Sequence, residues 1–205
     1  MAKSRRSSRS RPDHYSDSAK KEGYAARSVY KLSELDGKHR ILRPGSRVLD
    51  LGAAPGSWSQ YASRAVGPRG LVVAVDFDRL EALAPLKNVV AVEGDFTEGA
   101  TVGALEEYAP FDVVLSDAAP STTGNRTVDT ARSTALVESI IASLPVLLRP
   151  GGTLLAKVFQ GGEEQALLTT LKERFDTVKM PKPKASRGES FETYLLGMGY
   201  RSDNI

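Results

Sequence analysis

The sequence predicts an α/β chain: a mostly parallel, seven-stranded sheet that ends in a C-terminal antiparallel hairpin. Three observations carry that reading. After Pro44-Gly45, short continuous apolar runs alternate with helix-compatible stretches or turns, the pattern of a doubly wound sheet. The runs at 47–51, 71–75, 89–92, 111–116 and 153–159 are apolar nearly throughout, as suits parallel strands buried on both faces. The last two runs, 175–180 and 192–198, are separated by a Pro/Lys/Gly loop with no room for a helix, so the chain must return antiparallel.

The segment ahead of the sheet has a different character. Residues 1–31 hold nine Lys/Arg against three acids, whereas the rest of the chain holds nineteen against twenty-two. The first stretch is Ser/Arg-rich and almost free of apolar residues. Residues 1–22 are therefore expected to form a flexible basic arm on a single domain spanning 23–205. Such arms often contact nucleic acid phosphates; a solubilising tail is the alternative. From 25 to 35, the residues Ala25, Val29, Leu32 and Leu35 fall on one helical stripe, with Lys31 on its flank.

Composition excludes several classes. The 205 residues amount to one domain, and 40% are hydrophobic, enough for an ordinary core. No apolar run reaches the roughly 18–20 residues that span a membrane, and the N-terminus does not read as a secretory signal. There is no cysteine, hence no disulfide framework, cysteine-ligated metal or cysteine nucleophile. His14 and His39 lack ligand spacing, so no metal is expected. A cytoplasmic monomer fits these features.

The first strand runs into a glycine turn, Val48-Leu-Asp-Leu-Gly-Ala-Ala-Pro-Gly-Ser-Trp58. In an open α/β sheet this turn lines the ligand crevice. A phosphate loop would need Gly-Lys-Ser/Thr, and a dinucleotide site Gly-x-Gly-x-x-Gly; both are absent. The turn suits a ligand without phosphates that carries a charged amino-acid end and a nucleoside. Asp76 closes the second strand, where an acid can accept hydrogen bonds from ribose hydroxyls. Asp95 follows the third strand and can accept one from an adenine amino group, with Phe96 as an apolar wall. S-adenosylmethionine is the cofactor these features imply. Its expected contacts are Gly52, Ala53, Pro55, Gly56, Trp58, Asp76, Asp95, Phe96 and Asp117.

Two charges interrupt strands that otherwise read as buried: Lys157 in Gly152-Thr-Leu-Leu-Ala-Lys-Val-Phe159, and Asp117 at the end of Phe111-Asp-Val-Val-Leu-Ser-Asp117. An unpaired buried charge costs several kcal/mol or more, so each needs a partner or a cleft. They form either a structural ion pair or part of a site. If the last strand is antiparallel, Glu192 at its start faces the same crevice.

Three stretches resemble the FtsJ-type ribose 2′-O-methyltransferases: Asp50-Leu-Gly-Ala-Ala-Pro-Gly-Ser-Trp-Ser-Gln60, Ser116-Asp-Ala-Ala-Pro120 and Lys157-Val-Phe-Gln-Gly161. The resemblance runs from about Tyr24 to Tyr200. Ser57 stands where a second glycine is usual, and Ser121 where an asparagine is common. The resemblance implies a Rossmann-like methyltransferase acting on a ribose, a uridine's, in the 23S RNA of an assembled large ribosomal subunit. It maps the family's catalytic Lys-Asp-Lys-Glu set onto Lys31, Asp117, Lys157 and Glu192.

A ribose hydroxyl is a weak acid and must lose its proton as the methyl transfers. Lys157 is the expected base, with burial and the Lys31 ammonium lowering its proton affinity and Asp117 and Glu192 orienting the lysines. Lys31 alternatively stabilises the alkoxide or holds a phosphate. Base methylation is disfavoured, because the chain has no cysteine nucleophile and no aromatic follows Asp117-Ala-Ala-Pro120. The glycine spacing disfavours a dehydrogenase, and four filled catalytic positions disfavour a non-catalytic assembly factor. With no room for an extra RNA-binding domain, RNA contact falls to the arm and to Lys179, Lys182, Lys184 and Arg187.

Overall fold

The computed structural model describes residues 14–161, 163–186 and 190–202 of the chain. Seven strands form one sheet: β1 (Arg47–Leu51), β2 (Leu71–Asp76), β3 (Val89–Glu93), β4 (Phe111–Ser116), β5 (Leu148–Phe159), β6 (Phe175–Lys179) and β7 (Glu192–Tyr200). Their order is β3-β2-β1-β4-β5-β7-β6. Strands β1 to β5 pair in parallel, and β7 runs antiparallel to both β5 and β6. The expected fold class and hairpin are thus both present. Strand β7 inserts between β5 and β6, so the hairpin completes the sheet from within its edge.

Alternation explains why the strands read as continuous apolar runs. Leu49, Leu51, Val73, Val75, Val114 and Leu154 face one side. There they pack on Val137, Ile140 and Leu144 of helix α5 (Arg126–Leu147) and on Leu167 and Leu171 of helix α6 (Glu164–Arg174). Val48, Val72, Val113, Leu115 and Leu155 face the other side. They meet Leu32 and Leu35 of α2 (Val29–His39) and Trp58, Ala62 and Val66 of α3 (Ser57–Val66). Successive side chains on a strand point to opposite faces, so a sheet covered twice must be apolar at nearly every position. A short helix α4 (Gly99–Leu105) follows β3.

Three expectations change. Helix α2 begins at Val29; Ala25 lies ahead of it and is exposed. Strand β5 begins at Leu148, five residues before the expected 153, because Leu148 pairs with Phe111 across an irregularity in the β4 register. Within the expected flexible arm, residues His14–Lys21 form helix α1 with Ala19 buried. The part of the arm before residue 14 lies outside the described residues. Among the described residues, no helix is long and apolar enough to cross a membrane.

The strand order reverses between β1 and β4. In open α/β sheets, ligands bind outside the carboxyl ends of the strands at such a switch point.

Candidate active site

A crevice of about 660 Å³ opens at that switch point. Its floor is Gly52 and Ala54 of the glycine turn. Asp76, Asp95 and Asp117 stand at the ends of β2, β3 and β4, and Arg132, Leu136 and Ser139 of α5 form the far wall. Gly52 holds φ +72°, and a Cβ there would lie 2.5 Å from the Ala118 Cβ. Only glycine therefore lets the turn pass this close to the chain after β4. Gly56 holds φ +107° as α3 begins. Asp76 fixes the turn, accepting from the Ala54 N–H at 2.8 Å and from the Asp78 N–H at 2.9 Å. Asp95 accepts from the backbone and the hydroxyl of Thr97 through one oxygen, Oδ1.

The lining carries four carboxylates, Asp76, Asp78, Asp95 and Asp117, against the single guanidinium of Arg132. That balance repels polyphosphates and suits a ligand with cationic groups. Phe96 lines the crevice from the core side. Phe77, 73% exposed, stands on its lip. Its signal in the sequence was an aromatic directly after the strand-ending Asp76.

Of the expected cofactor residues, Gly52, Asp76, Asp95, Phe96 and Asp117 line the crevice. Ala53, Pro55, Gly56 and Trp58 do not line the crevice. Ala53 packs with Ala74, Leu80 and Leu83. Trp58 is only 2% exposed: α3 turns its ring inward, where it stacks on Tyr194 at 5.8 Å and donates Nε1–H to the Ser28 carbonyl at 2.9 Å. Such an aromatic pair contributes about 0.5–1.5 kcal/mol beyond its area burial. Ser57, where a glycine is usual, shares a 2.8 Å hydrogen bond with Ser28 and so ties α3 to the start of α2.

Lys31, Asp117, Lys157 and Glu192 come together at the crevice's inner end. Lys157 Nζ donates to the Asp117 carbonyl at 2.6 Å and lies 3.2 Å from Asp117 Oδ1. Lys31 Nζ lies 2.5 Å from Glu192 Oε1 and 4.0 Å from Asp117 Oδ1. Strand register accounts for this convergence. Lys157 pairs with Tyr194, and Phe159 with Glu192. Directly opposed residues share a face, and so do residues two apart, which puts Lys157, Tyr194 and Glu192 on the α2 side of the sheet. Asp117, two residues beyond Leu115, follows the same parity, and α2 brings Lys31 to meet them.

Tyr194 was not anticipated. Its hydroxyl donates to Asp117 Oδ1 at 2.7 Å while its ring lies fully buried on Trp58. Burial, and after it the Asp117 carboxylate, push the Tyr194 phenol well above its ordinary range, so it acts as a donor only. Its spacing of two from Glu192 on a strand was the available signal. Burial alone would raise the Glu192 carboxyl, but the Lys31 hydrogen bond and charge, with Lys157 behind them, bring it below its ordinary range. Beneath the turn, Asp50 is buried and accepts from the Ser59 hydroxyl at 2.6 Å. Burial raises its pKa to about 7; the Ser59 hydrogen bond opposes the rise, and the Asp117 and Asp76 charges add to it.

A second pocket of about 300 Å³ lies on the other side of this cluster, lined by Arg27, Ser28, Lys31, Ser190 and Glu192. Asp117 lines the crevice, whereas Lys31 and Glu192 line the pocket. The charged cluster is therefore the wall that the two cavities share. Above the pocket, the 180–186 loop is held to α2 and to the residues just before it: Glu34 accepts from the Lys184 N–H at 2.9 Å, and Arg27 donates to the Ala185 carbonyl at 2.7 Å. Lys182 donates to the Ser190 carbonyl at 2.8 Å. Lys179 sits on β6, and Arg187 lies outside the described residues. Among the described residues, no group of three or more His, Asp or Glu side chains could hold a metal ion.

Known proteins share this architecture. The profile of the FtsJ-like methyltransferases matches residues 24–200. A ribosomal RNA large subunit methyltransferase E from Syntrophobacter fumaroxidans is 53% identical over 190 residues, covering 92% of this chain and 96% of that protein. Its counterpart from Treponema denticola is 44% identical, covering 94% and 96%. A Plasmodium falciparum crystal structure, described as a ribosomal RNA methyltransferase, superposes with a TM-score of 0.77 at 30% identity, over 86% of this chain and 98% of that one. Aeropyrum pernix fibrillarin with bound S-adenosylmethionine shares the fold, with a TM-score of 0.62 at 17% identity over 83% of this chain and 76% of that one. This chain belongs to the FtsJ-like methyltransferase family.

Proposed function

We propose that this protein transfers the methyl group of S-adenosylmethionine to a ribose 2′-hydroxyl of large-subunit ribosomal RNA. The observation that carries the mechanism is the shared wall: an acidic crevice on one side, a basic pocket on the other, and the Lys31–Asp117–Lys157–Glu192 cluster between.

The crevice fits the cofactor. About 660 Å³ is ample for a ligand of this size. The glycine at 52 leaves the room that a Cβ would fill. In this reading Asp76 receives the ribose hydroxyls and Asp95 the adenine amino group, the latter supported by the Asp95 oxygen that Thr97 does not use. When bound, S-adenosylmethionine supplies an electrophilic methyl on a sulfonium.

The protein's residues act on the hydroxyl. A neutral lysine amine has two N–H groups and one lone pair. Lys157 Nζ is oriented by the Asp117 carbonyl and Asp117 Oδ1, and in its neutral form its lone pair would take the hydroxyl proton. Tyr194 and the two lysines all meet Asp117 at Oδ1 and hold it in place. Lys31, anchored by Glu192, is set to stabilise the developing alkoxide.

All four residues come from one chain, so the site is complete without a second copy. The protein's place of action is the cytoplasm, and its target is a uridine in an assembled large subunit. The test is labelled methyl transfer to assembled large subunits and, separately, to free 23S RNA, both from cells lacking the modification, followed by nucleoside analysis. The expected product is a 2′-O-methyluridine formed on the subunit. A methyl on a base or on protein would overturn the reading, and equal transfer to free RNA would remove the subunit requirement.

A further inference from the structure

Arg27, which lines the second pocket, also reaches an aromatic pair that the charged cluster does not use. Tyr15, on helix α1, is 37% exposed. Its ring lies 5.4 Å from that of Tyr30 on α2, and the Arg27 guanidinium sits 5.2 Å from the Tyr15 ring centroid. Arg27 also lines the pocket beside Ser28 and Lys31 and is fixed by its hydrogen bond to the Ala185 carbonyl. Tyr30 is held in turn, its hydroxyl donating to Glu22 Oε1 at 2.9 Å. One arginine thus joins the pocket to a partly exposed tyrosine whose ring also meets the rings of Tyr30 and, edge to face, His14.

These features have a common use. Unpaired RNA bases are recognised by stacking on aromatic side chains and guanidinium planes, while cations hold the adjoining phosphate. A ring already ordered by its neighbours loses little freedom when a base stacks on it.

We infer that Tyr15, beside Tyr30 and Arg27, is a stacking platform for an unpaired RNA base beside the methylated nucleotide, with the intervening phosphate held by Arg27. The inference rests on the reading of RNA as substrate and deepens it: the target must present an unpaired neighbour, as in a loop or a single strand.

The experiment compares Tyr15→Leu with Tyr15→Trp in the full chain. Leucine keeps apolar bulk against Tyr30 but removes the stacking face, and tryptophan keeps the face. The measurements are KM for unmethylated large subunits and affinity for S-adenosylhomocysteine. Tyr15→Leu is expected to raise the subunit KM roughly tenfold. Tyr15→Trp should bring it back to within about twofold, with cofactor affinity unmoved in both. A wild-type KM in Tyr15→Leu would overturn the inference. So would a Tyr15→Trp protein as impaired as Tyr15→Leu, or a Tyr15→Leu protein that has lost S-adenosylhomocysteine affinity, since either marks a packing role. If the unaltered protein makes no 2′-O-methyl product, the underlying reading falls, and the inference with it.

Discussion

The crevice and the charged cluster meet at Asp117 but are built in different ways. The crevice is made of strand ends and one glycine turn: Gly52, Asp76, Asp95 and Asp117 each follow or close a parallel strand. The cluster is made of four elements remote in sequence: α2, the end of β4, the last residues of β5 and the start of β7. Strand ends place the cofactor groups, whereas register and packing place the reacting groups. Changes in the first region should therefore appear in cofactor affinity, and changes in the second in turnover.

The largest expected effect tests that division at its sharpest point. Lys157→Ala removes the proposed base, so kcat should fall roughly 10³-fold, within the span of general base catalysis. S-adenosylhomocysteine affinity, read by calorimetry, should stay within about twofold. Near-normal turnover would remove Lys157 from its role, and parallel losses of affinity and turnover would erase the division.

Next in size, Asp76→Ala acts on the other side. Charged hydrogen-bond partners contribute about 1.5–3 kcal/mol, so cofactor affinity should drop roughly 10- to 100-fold. Because Asp76 also fixes the Ala54 and Asp78 N–H groups, Tm should fall too. At saturating cofactor, turnover should largely return, which Lys157→Ala cannot match.

Tyr194→Phe removes one hydroxyl and keeps the ring on Trp58. With one of its anchors gone, Asp117 should hold Lys157 less well, and kcat should fall roughly tenfold. Cofactor affinity should change little. An unchanged kcat would show that the two lysines alone position Asp117.

The smallest effect is a dependence on pH. The fold depresses the Glu192 pKa below its ordinary 4.5 despite burial, through Lys31 and Lys157. A carboxylate with a depressed pKa adds stability above its unfolded pKa and loses it as pH falls through the folded one. Glu192→Gln should therefore cost about 1–2 kcal/mol near neutral pH, and the gap in Tm between variant and parent should close below about pH 4. A gap that persists in acid would mean that Glu192 acts through shape rather than charge.

The same contrast separates what the sequence could reveal from what it could not. Asp76 and Asp95 were legible because a strand end announces itself by the apolar run before it. Lys157 and Asp117 were legible because a charge in such a run needs a partner. The β5–β7 pairing was not, since register depends on contacts between segments almost forty residues apart. Tyr194 consequently went unread. The packing of Trp58 went unread for a related reason: its place in the glycine motif pointed to the ligand, and only the fold shows helix α3 turning its ring toward the sheet. Helix α1 escaped notice because its eight residues bury only Ala19 and offer no apolar stripe. Contacts made by neighbouring side chains, such as Tyr15 on Tyr30, are invisible to a local reading.

The central claim is transfer to a ribose hydroxyl, and alkaline hydrolysis of RNA labelled by this protein tests it most directly. Alkali cleaves RNA through a free 2′-hydroxyl, so a ribose methyl protects its own linkage. The account predicts that the label emerges in an alkali-resistant dinucleotide. Label in mononucleotides would place the methyl on a base and contradict the account.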